Sequence, residues 1–496
     1  MGSGGDTNAN SRSRRLLVVA PSVVRRLGDG AGNAAKGRET RLTVEVSKMR
    51  NPSFKQAVVV GAGMAGLAAA KAIAPHFEKV TVFDRDSLPD APAPRSGTPQ
   101  SRHTHALLAG GHSALDRMFP GIEIDLMDAG AVRMRLRSDF RLELPGFDPF
   151  PRRDFGYDQF ALSRPALERV CRHRVEQEPY IEIISRARVT EVIASPDNRS
   201  VAGVRFEDVR GTSGTLSADL VVDASGRISL TQDFLDAIGS PKPPTVEIGM
   251  DQAYSTLVFE KPKDAPTDWL AVIHAPAPPQ SSRHGVIFPM EGGRWSVSLA
   301  EDHKAPPGDV DGFMEFVASF RTPTIHNAIR GARRIGDVAR FRMPCSVRCA
   351  YDRLDRFPRG LIPLGDSACR FPPIFGQGMS VAAQECCVLA GLIESRRWRA
   401  DPLDGLAEAF LAEIQPLLET PWSHAMAELA HPETRGERPP DLEQKLKYGR
   451  ALLQLSAEDP EIDRIVSEVR ALLRPFSALR EPKLARRVEA LLAETV

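Results

Sequence analysis

The sequence predicts an α/β fold, α+β overall: a Rossmann-like domain, an inserted and mostly antiparallel β-sheet, and a helical C-terminal region. Three observations predict it. The stretch "QAVVVGAGMAGLAAAKAIA" (56–74) runs from a buried-strand pattern through Gly61-x-Gly63-x-x-Gly66 into a small-residue helix. Four segments between residues 252 and 302 alternate apolar and polar residues and are rich in β-branched and aromatic types. Near the C-terminus, Ile462, Ile465, Val466, Val469, Leu472 and Leu473 fall on one helical face.

In chain order, the first fifty residues come before that fold. They hold ten Lys or Arg against four Asp or Glu, a net +6, which leaves −5 for the rest of a chain with net charge +1. The remainder thus has no basic excess of the kind that marks a nucleic-acid binder. "SRSRRLLVVA" carries the twin arginines of an export signal, but its apolar part is short, contains Pro21 and runs into Arg25–Arg26. Residues 1–50 therefore read as a disordered or non-native extension, with Met49 the natural initiator. At 496 residues two or three domains are expected. Six sparse cysteines do not make a disulfide framework, and their spacing favours structural thiols over a metal site. No apolar run is long enough to span a membrane.

The first glycine cluster has a physical reading. Gly61 permits the tight turn, Gly63 lets backbone approach a pyrophosphate, and Gly66 lets the helix pack on its strand. The helix N-terminus then faces the phosphates. A second strand, "KVTVFDRD", ends at Asp84, eighteen residues after Gly66. A carboxylate there accepts from both hydroxyls of a ribose, which suits FAD or NAD and disfavours the 2′-phosphate of NADP. "ADLVVDASGRIS" (218–229) is a further strand running into a turn, with Asp223 and Gly226. Then comes "GLIPLGDSACRFPPIFGQGMS" (360–380), a strand ending at Gly365-Asp366, a stiff turn, and the start of a helix. Asp366 can accept from a ribityl hydroxyl, Pro372 and Pro373 hold an extended bend, and Gly376 and Gly378 permit positive φ and close backbone approach. Free N–H groups at the helix start suit a reduced isoalloxazine, which is anionic on its pyrimidine side.

These three motifs in this order resemble those of the single-component FAD-dependent monooxygenases of the aromatic-hydroxylase-like superfamily. "GTPQSRHTHALLAGGHSALDRMFPG" (97–121), "FPMEGGRWSVSLAED" (288–302) and "YDRLDRFPRGLIPLGDSACRFPPIFGQGMSVAAQE" (351–385) are similar to bacterial polyketide and terpenoid epoxidases and hydroxylases, distant relatives of squalene epoxidase. The resemblance covers roughly residues 55–490. It implies an FAD-binding domain of glutathione-reductase type in three parts (51–135, 161–240 and 345–400). It also implies a substrate-domain segment (136–160), a substrate-binding β-sheet domain (241–344) and a C-terminal helical region (401–496). It implies cofactor contacts at Gly61, Gly63, Met64, Ala65, Gly66, Asp84, Arg85, Arg164, Val189, Asp223, Gly226, Gly365, Asp366, Pro373, Gly376, Gly378, Met379 and Ser380. Two departures stand out: Pro372 where close relatives often have Asn, and Ala224-Ser225 within a motif that usually reads Asp-Gly.

The chemistry implied is insertion of one oxygen atom from O2 into a lipophilic olefin or aromatic secondary metabolite, by epoxidation or hydroxylation, through a flavin C4a-hydroperoxide. NAD(P)H, directly or through a separate reductase, would supply electrons. No catalytic triad is needed and none is found. Candidate flavin-edge or substrate contacts are Arg102, His103, His105, Phe288, Trp295, Phe371 and Phe375. Tyr254, Phe288, Met290 and Trp295, with Phe371 and Phe375, are expected to form a lipophilic wall. The expected location is cytoplasmic, with peripheral membrane contact left open through the C-terminal helices. Rival readings are a prenyl-type double-bond reductase of the geranylgeranyl-reductase kind and a flavin halogenase. The latter needs a lysine near the flavin, and the chain has none between Lys79 and Lys242.

Overall fold

The computed structural model describes residues 54–227, 230–277 and 281–494. The expectations for residues 1–50 lie outside the described residues, as does the end of the "DASGRIS" turn. The first glycine cluster sits as expected. Strand Phe54–Val60 buries Ala57–Val60, and helix Met64–Ile73 follows with seven of its ten residues apolar and buried. That strand is the centre of a five-stranded parallel sheet, ordered Leu361–Pro363, Leu220–Asp223, Phe54–Val60, Phe77–Asp84, Ile181–Ser185. Central strands of a parallel sheet are covered on both faces, which is why "AVVV" and "LVVD" read as continuous apolar runs. Helix Met64–Ile73 packs on this sheet, and helix Gly378–Arg396, which begins at the glycines of the third motif, packs against that helix. A three-stranded antiparallel ribbon, Ala187–Ala194, Val201–Asp208 and Ser213–Ser217, flanks it.

The alternating segments form a six-stranded sheet ordered Arg334–Met343, Gln252–Glu260, Arg294–Glu301, His284–Met290, Ala271–His274, Phe140–Glu143. Its pairings are antiparallel except at the last strand. The pleat sorts its side chains onto two faces. Leu257, Phe259, Trp295, Val297 and Leu299 point one way and form a core with Phe313, Phe316, Ile325 and Ile329 from helices Val310–Ala318 and Thr324–Ile329. Tyr254, Thr256, Ser296 and Ser298 point the other way, toward the segment His103–Thr104.

The C-terminal helices include Leu442–Glu458, Pro460–Arg470 and Pro482–Glu494, which share a small core of their own. Pro460 takes the first helical position. The Asp459 side chain caps the helix by accepting from Glu461 N at 2.8 Å, and Leu472 at φ +60° ends the run two residues past it. No helix among the described residues is long and apolar enough to cross a membrane.

Candidate functional site: a groove at the strand ends

A groove opens at the C-terminal ends of the parallel strands, where such sheets bind ligands. Its lining includes Gly61, Gly63, Met64, Ala65, Asp84, Arg85, Arg164, Val189, Gly226, Gly365, Asp366, Gly378 and Met379, drawn from segments more than three hundred residues apart in sequence.

The glycines differ in what they do. Gly61 has φ +101°, and a Cβ there would lie 2.6 Å from the Ala224 carbonyl oxygen. A Cβ on Gly66 would lie 1.7 Å from the Gly61 oxygen, so Gly66 serves the turn beneath the groove and does not line it. At Gly63 the nearest protein atoms to such a Cβ are guanidinium nitrogens of Arg164 and Arg95, at 3.6 and 4.0 Å. The space over Gly63 is open, and two arginines converge on it.

Arg164 is the first residue of helix Arg164–Glu176, whose preceding Ser163 caps Ala166 N. It is buried, bonds Glu168 through Nη2 at 3.3 Å, and its Nε has no hydrogen-bond partner. Arg95 is held by Glu168 (2.8 Å), Asp86 (2.8 Å) and Asp84 (3.2 Å), and these carboxylates keep its guanidinium charged in spite of burial. Asp84 accepts from Ala62 N at 2.7 Å and Asp86 N at 2.8 Å; burial nonetheless lifts its carboxyl above the usual range. Asp366 opens onto the groove floor within a dense surround. That surround raises its carboxyl, against the pull of Arg370, Arg227 and Arg164.

These features fit FAD. The open glycine turn, two converging guanidinium groups and a buried Nε without a partner suit a pyrophosphate. The strand-end acid Asp84 suits a ribose, and Asp366 with the bare helix start at Gly378, where nothing lies within 4 Å of a Cβ position, suits the flavin end.

Several expected residues lie elsewhere. Asp223 is fully buried behind the groove wall. It accepts from Ser225 Oγ (2.6 Å), Thr231 N (3.0 Å), Thr231 Oγ1 (2.7 Å) and Ser367 Oγ (3.2 Å), and so ties the second motif to the third. Ser380 is buried against Gly111, where a Cβ would come within 2.2 Å of its Oγ. Pro373 and Gly376 form the turn before the helix and do not line the groove. Gly376 has φ +65°, whereas Gly378 is helical and needs no left-handed backbone.

The expected lipophilic wall is corrected in part. Trp295 stacks on Trp269 at 5.7 Å on the far face of the six-stranded sheet, because it shares a pleat with Val297 and Leu299. Phe371 is buried in the main core, and Phe288 packs edge-on against Phe140 at 5.8 Å. Phe375 stacks on His424 at 4.4 Å. The near face carries a linked hydroxyl strip instead. His103 Nδ1 meets Thr256 Oγ1 at 2.7 Å, Thr256 meets Ser298 at 2.6 Å, and Thr104 meets Ser296 and Ser298 at 2.8 Å each. The His103 ring packs against both Tyr254 and Phe341, with centroids 6.0 and 5.6 Å away, and burial lowers its imidazole to about 4. His105 bonds the His103 carbonyl at 2.9 Å, and burial, with Arg164 nearby, lowers it to about 3. Arg102 is exposed and outside the groove lining. Arg95, Thr98, Gln100 and Arg188 also line the groove. No fixed spacing marks them, because they come from a loop and from the outer ribbon.

The architecture matches the fold of solved flavin-dependent enzymes. The flavin-dependent brominase Bmp2 has this fold (TM-score 0.61, 16% identity, 84% of this chain and 93% of that one). So does p-nitrophenol 4-monooxygenase PnpA from Pseudomonas putida DLL-E4 (TM-score 0.60, 19% identity, 84% and 96%). No family model matches the chain. It is 33% identical over 363 residues to Protein Rv3254 of Mycobacterium tuberculosis (strain ATCC 25618 / H37Rv), spanning 70% of this chain and 75% of that protein. The chain belongs to the family of Protein Rv3254.

Proposed function

We propose that the chain is a cytoplasmic FAD-dependent monooxygenase acting on a lipophilic olefin or aromatic compound. The observation that carries this reading is the groove built from the first glycine turn, Asp84, Arg164, Gly365, Asp366, Gly378 and Met379, beside a sheet face bearing Tyr254 and Phe341 against which His103 packs. FAD, once bound and reduced with electrons from NAD(P)H, supplies the activation of O2. The chain's residues bind and orient. Asp84 would accept from the ribose, Arg95 and Arg164 would neutralise the pyrophosphate, and Asp366 would accept from the ribityl chain. The helix starting at Gly378 would turn its free N–H groups toward negative charge on the ring. Tyr254 and Phe341 offer ring faces to an apolar substrate. The neutral His103, fixed by Thr256, offers a hydrogen bond to a polar substituent.

The test is anaerobic reduction of the purified flavoprotein, rapid mixing with oxygenated buffer, and product analysis under 18O2 with candidate olefins and aromatics. A spectral transient distinct from oxidised and reduced flavin, with one labelled oxygen in the product, is expected. Direct reoxidation with saturation of an alkene and no label would favour the double-bond reductase. The fold shared with Bmp2 favours one further comparison: bromide in the same assay, where a brominated product would overturn oxygen insertion.

A further inference from the structure

We infer that Glu385 is a positioning residue of the flavin groove: it holds Gly365, and through it Asp366, toward the bound cofactor, and it takes up a proton from solvent when FAD binds. This deepens the flavoenzyme reading above and rests on it. Glu385 lies in the second turn of helix Gly378–Arg396 and is fully buried. Its Oε2 accepts from Gly365 N at 2.8 Å. Gly365 stands at φ +64° and lines the groove, as does Asp366 beside it. The other oxygen, Oε1, is buried and has no hydrogen-bond partner. A buried carboxylate with one oxygen unpaired costs far more when ionised than when neutral, so the site favours a carboxyl that can take up a proton.

The groups facing Glu385 are few. Asp366 faces it from the loop. The Cys369 and Cys386 thiols, from the short strand Cys369–Arg370 and from its own helix, are pushed well up by burial and stay protonated through neutrality. Among the described residues no cation offsets its charge. Burial pushes the Glu385 carboxyl up to about 7; the Gly365 N–H pulls it down and Asp366 adds to the rise. Bound FAD would cover the groove side of this pair, exclude water from it and so raise the carboxyl again. By linkage, FAD must then bind more weakly as pH rises through neutrality.

The experiment titrates FAD into the flavin-stripped full chain, following flavin fluorescence between pH 6 and 8, for wild type, E385Q and E385A. For wild type the dissociation constant should rise by about fivefold between pH 6 and pH 8 if binding shifts the carboxyl up from about 7 by one unit. E385Q keeps an acceptor for Gly365 N and should bind tightly with that dependence removed. E385A should bind more weakly at every pH. Any slope due to Asp366 persists in E385Q, so the difference between the wild-type and E385Q curves belongs to Glu385. Identical pH profiles for wild type and E385Q would overturn the inference while leaving the flavoprotein reading intact. E385A binding as wild type would do the same. Failure of the wild-type chain to take up FAD at any pH would overturn both. E385Q decides the matter even where E385A does not fold.

Discussion

Arg164 shows how one side chain can be assigned a task from its surroundings. Its helix position, its bond to Glu168 and its Nε without a partner leave it one direction in which to act, over Gly63. A charge-assisted hydrogen bond is worth roughly 1.5–3 kcal/mol, so Arg164→Met should raise the FAD dissociation constant about ten- to hundredfold without unfolding the chain. Equilibrium titration with FAD checks this, and unchanged affinity would remove Arg164 from the site. The glycines allow a sharper comparison. Gly66→Ala would set a methyl 1.7 Å from a backbone oxygen and should prevent the turn from forming, which shows as loss of cooperative thermal unfolding. Gly63→Ala meets no protein atom closer than 3.6 Å. It should fold with a normal circular-dichroism melt and lose FAD, because its methyl occupies the space of the ligand. If both variants lose FAD and fold equally well, the distinction drawn between the two glycines is wrong.

Among the elements, helix Pro460–Arg470 is tied by buried ions to Arg137 and Arg153, in the connection between the parallel strands Phe77–Asp84 and Ile181–Ser185. Asp463 accepts from Arg137 Nε at 3.1 Å, Arg137 Nη2 at 3.2 Å and Arg153 Nη1 at 2.7 Å, and Arg137 also lies over the Phe150 ring at 4.5 Å. Removing one partner of such a set strands two guanidinium groups, so Asp463→Ala should destabilise by roughly 3–5 kcal/mol, against about 1 kcal/mol for loss of the half-buried cap in Asp459→Ala. Chemical denaturation of the two variants should rank them in that order, and equal losses would mean the cluster is not what anchors the helix. The strand of that face, "RWSVSLAED", shows what sequence carries and what it withholds. Its alternation marks the strand, and it already separates Trp295, Val297 and Leu299 from Ser296 and Ser298. It does not say which face meets the groove, and that is why Trp295 was expected on the wrong side. The parallel strands were legible because burial on both faces leaves unbroken apolar runs. The glycine and acid motifs were legible because their spacing follows from backbone geometry. Arg95 was not, since a proline-rich loop has no period. Nor was the role of Asp223, since its partners Thr231 and Ser367 come together only when two strands pair.

For the whole molecule, burial of neutral histidines and of raised carboxyls should shape stability against pH. Burial lowers His103 to about 4 and His105, His284 and His424 to about 3, well below the roughly 6.5 of an unfolded histidine. Below pH 6.5 the unfolded chain binds more protons at these sites, so their contribution is complete above 6.5 and is lost as pH falls toward 4 and 3. Each loses about 1.4 kcal/mol per pH unit. The acids have the opposite sign. Burial raises Glu385 to about 7 and Glu428 to about 8, with Asp302 adding to the latter. Their contribution is complete below about 4.5 and is lost as pH rises through 7 and 8. Of these six groups, four histidines oppose two carboxyls between pH 4.5 and 6.5 and the acid loss wins; above 6.5 only the two carboxyls of the six act. The melting temperature should therefore peak near pH 6.5 and fall on both sides. Two substitutions away from the groove separate the limbs. His284→Gln should flatten the acid limb and leave pH 8 unchanged, while Glu428→Gln should flatten the alkaline limb and leave pH 5 almost unchanged. Melting curves from pH 5 to 9 read both. A Glu428→Gln variant that declines above pH 7 as steeply as wild type would show that this carboxyl is already ionised in the folded chain, and that the alkaline limb has another origin.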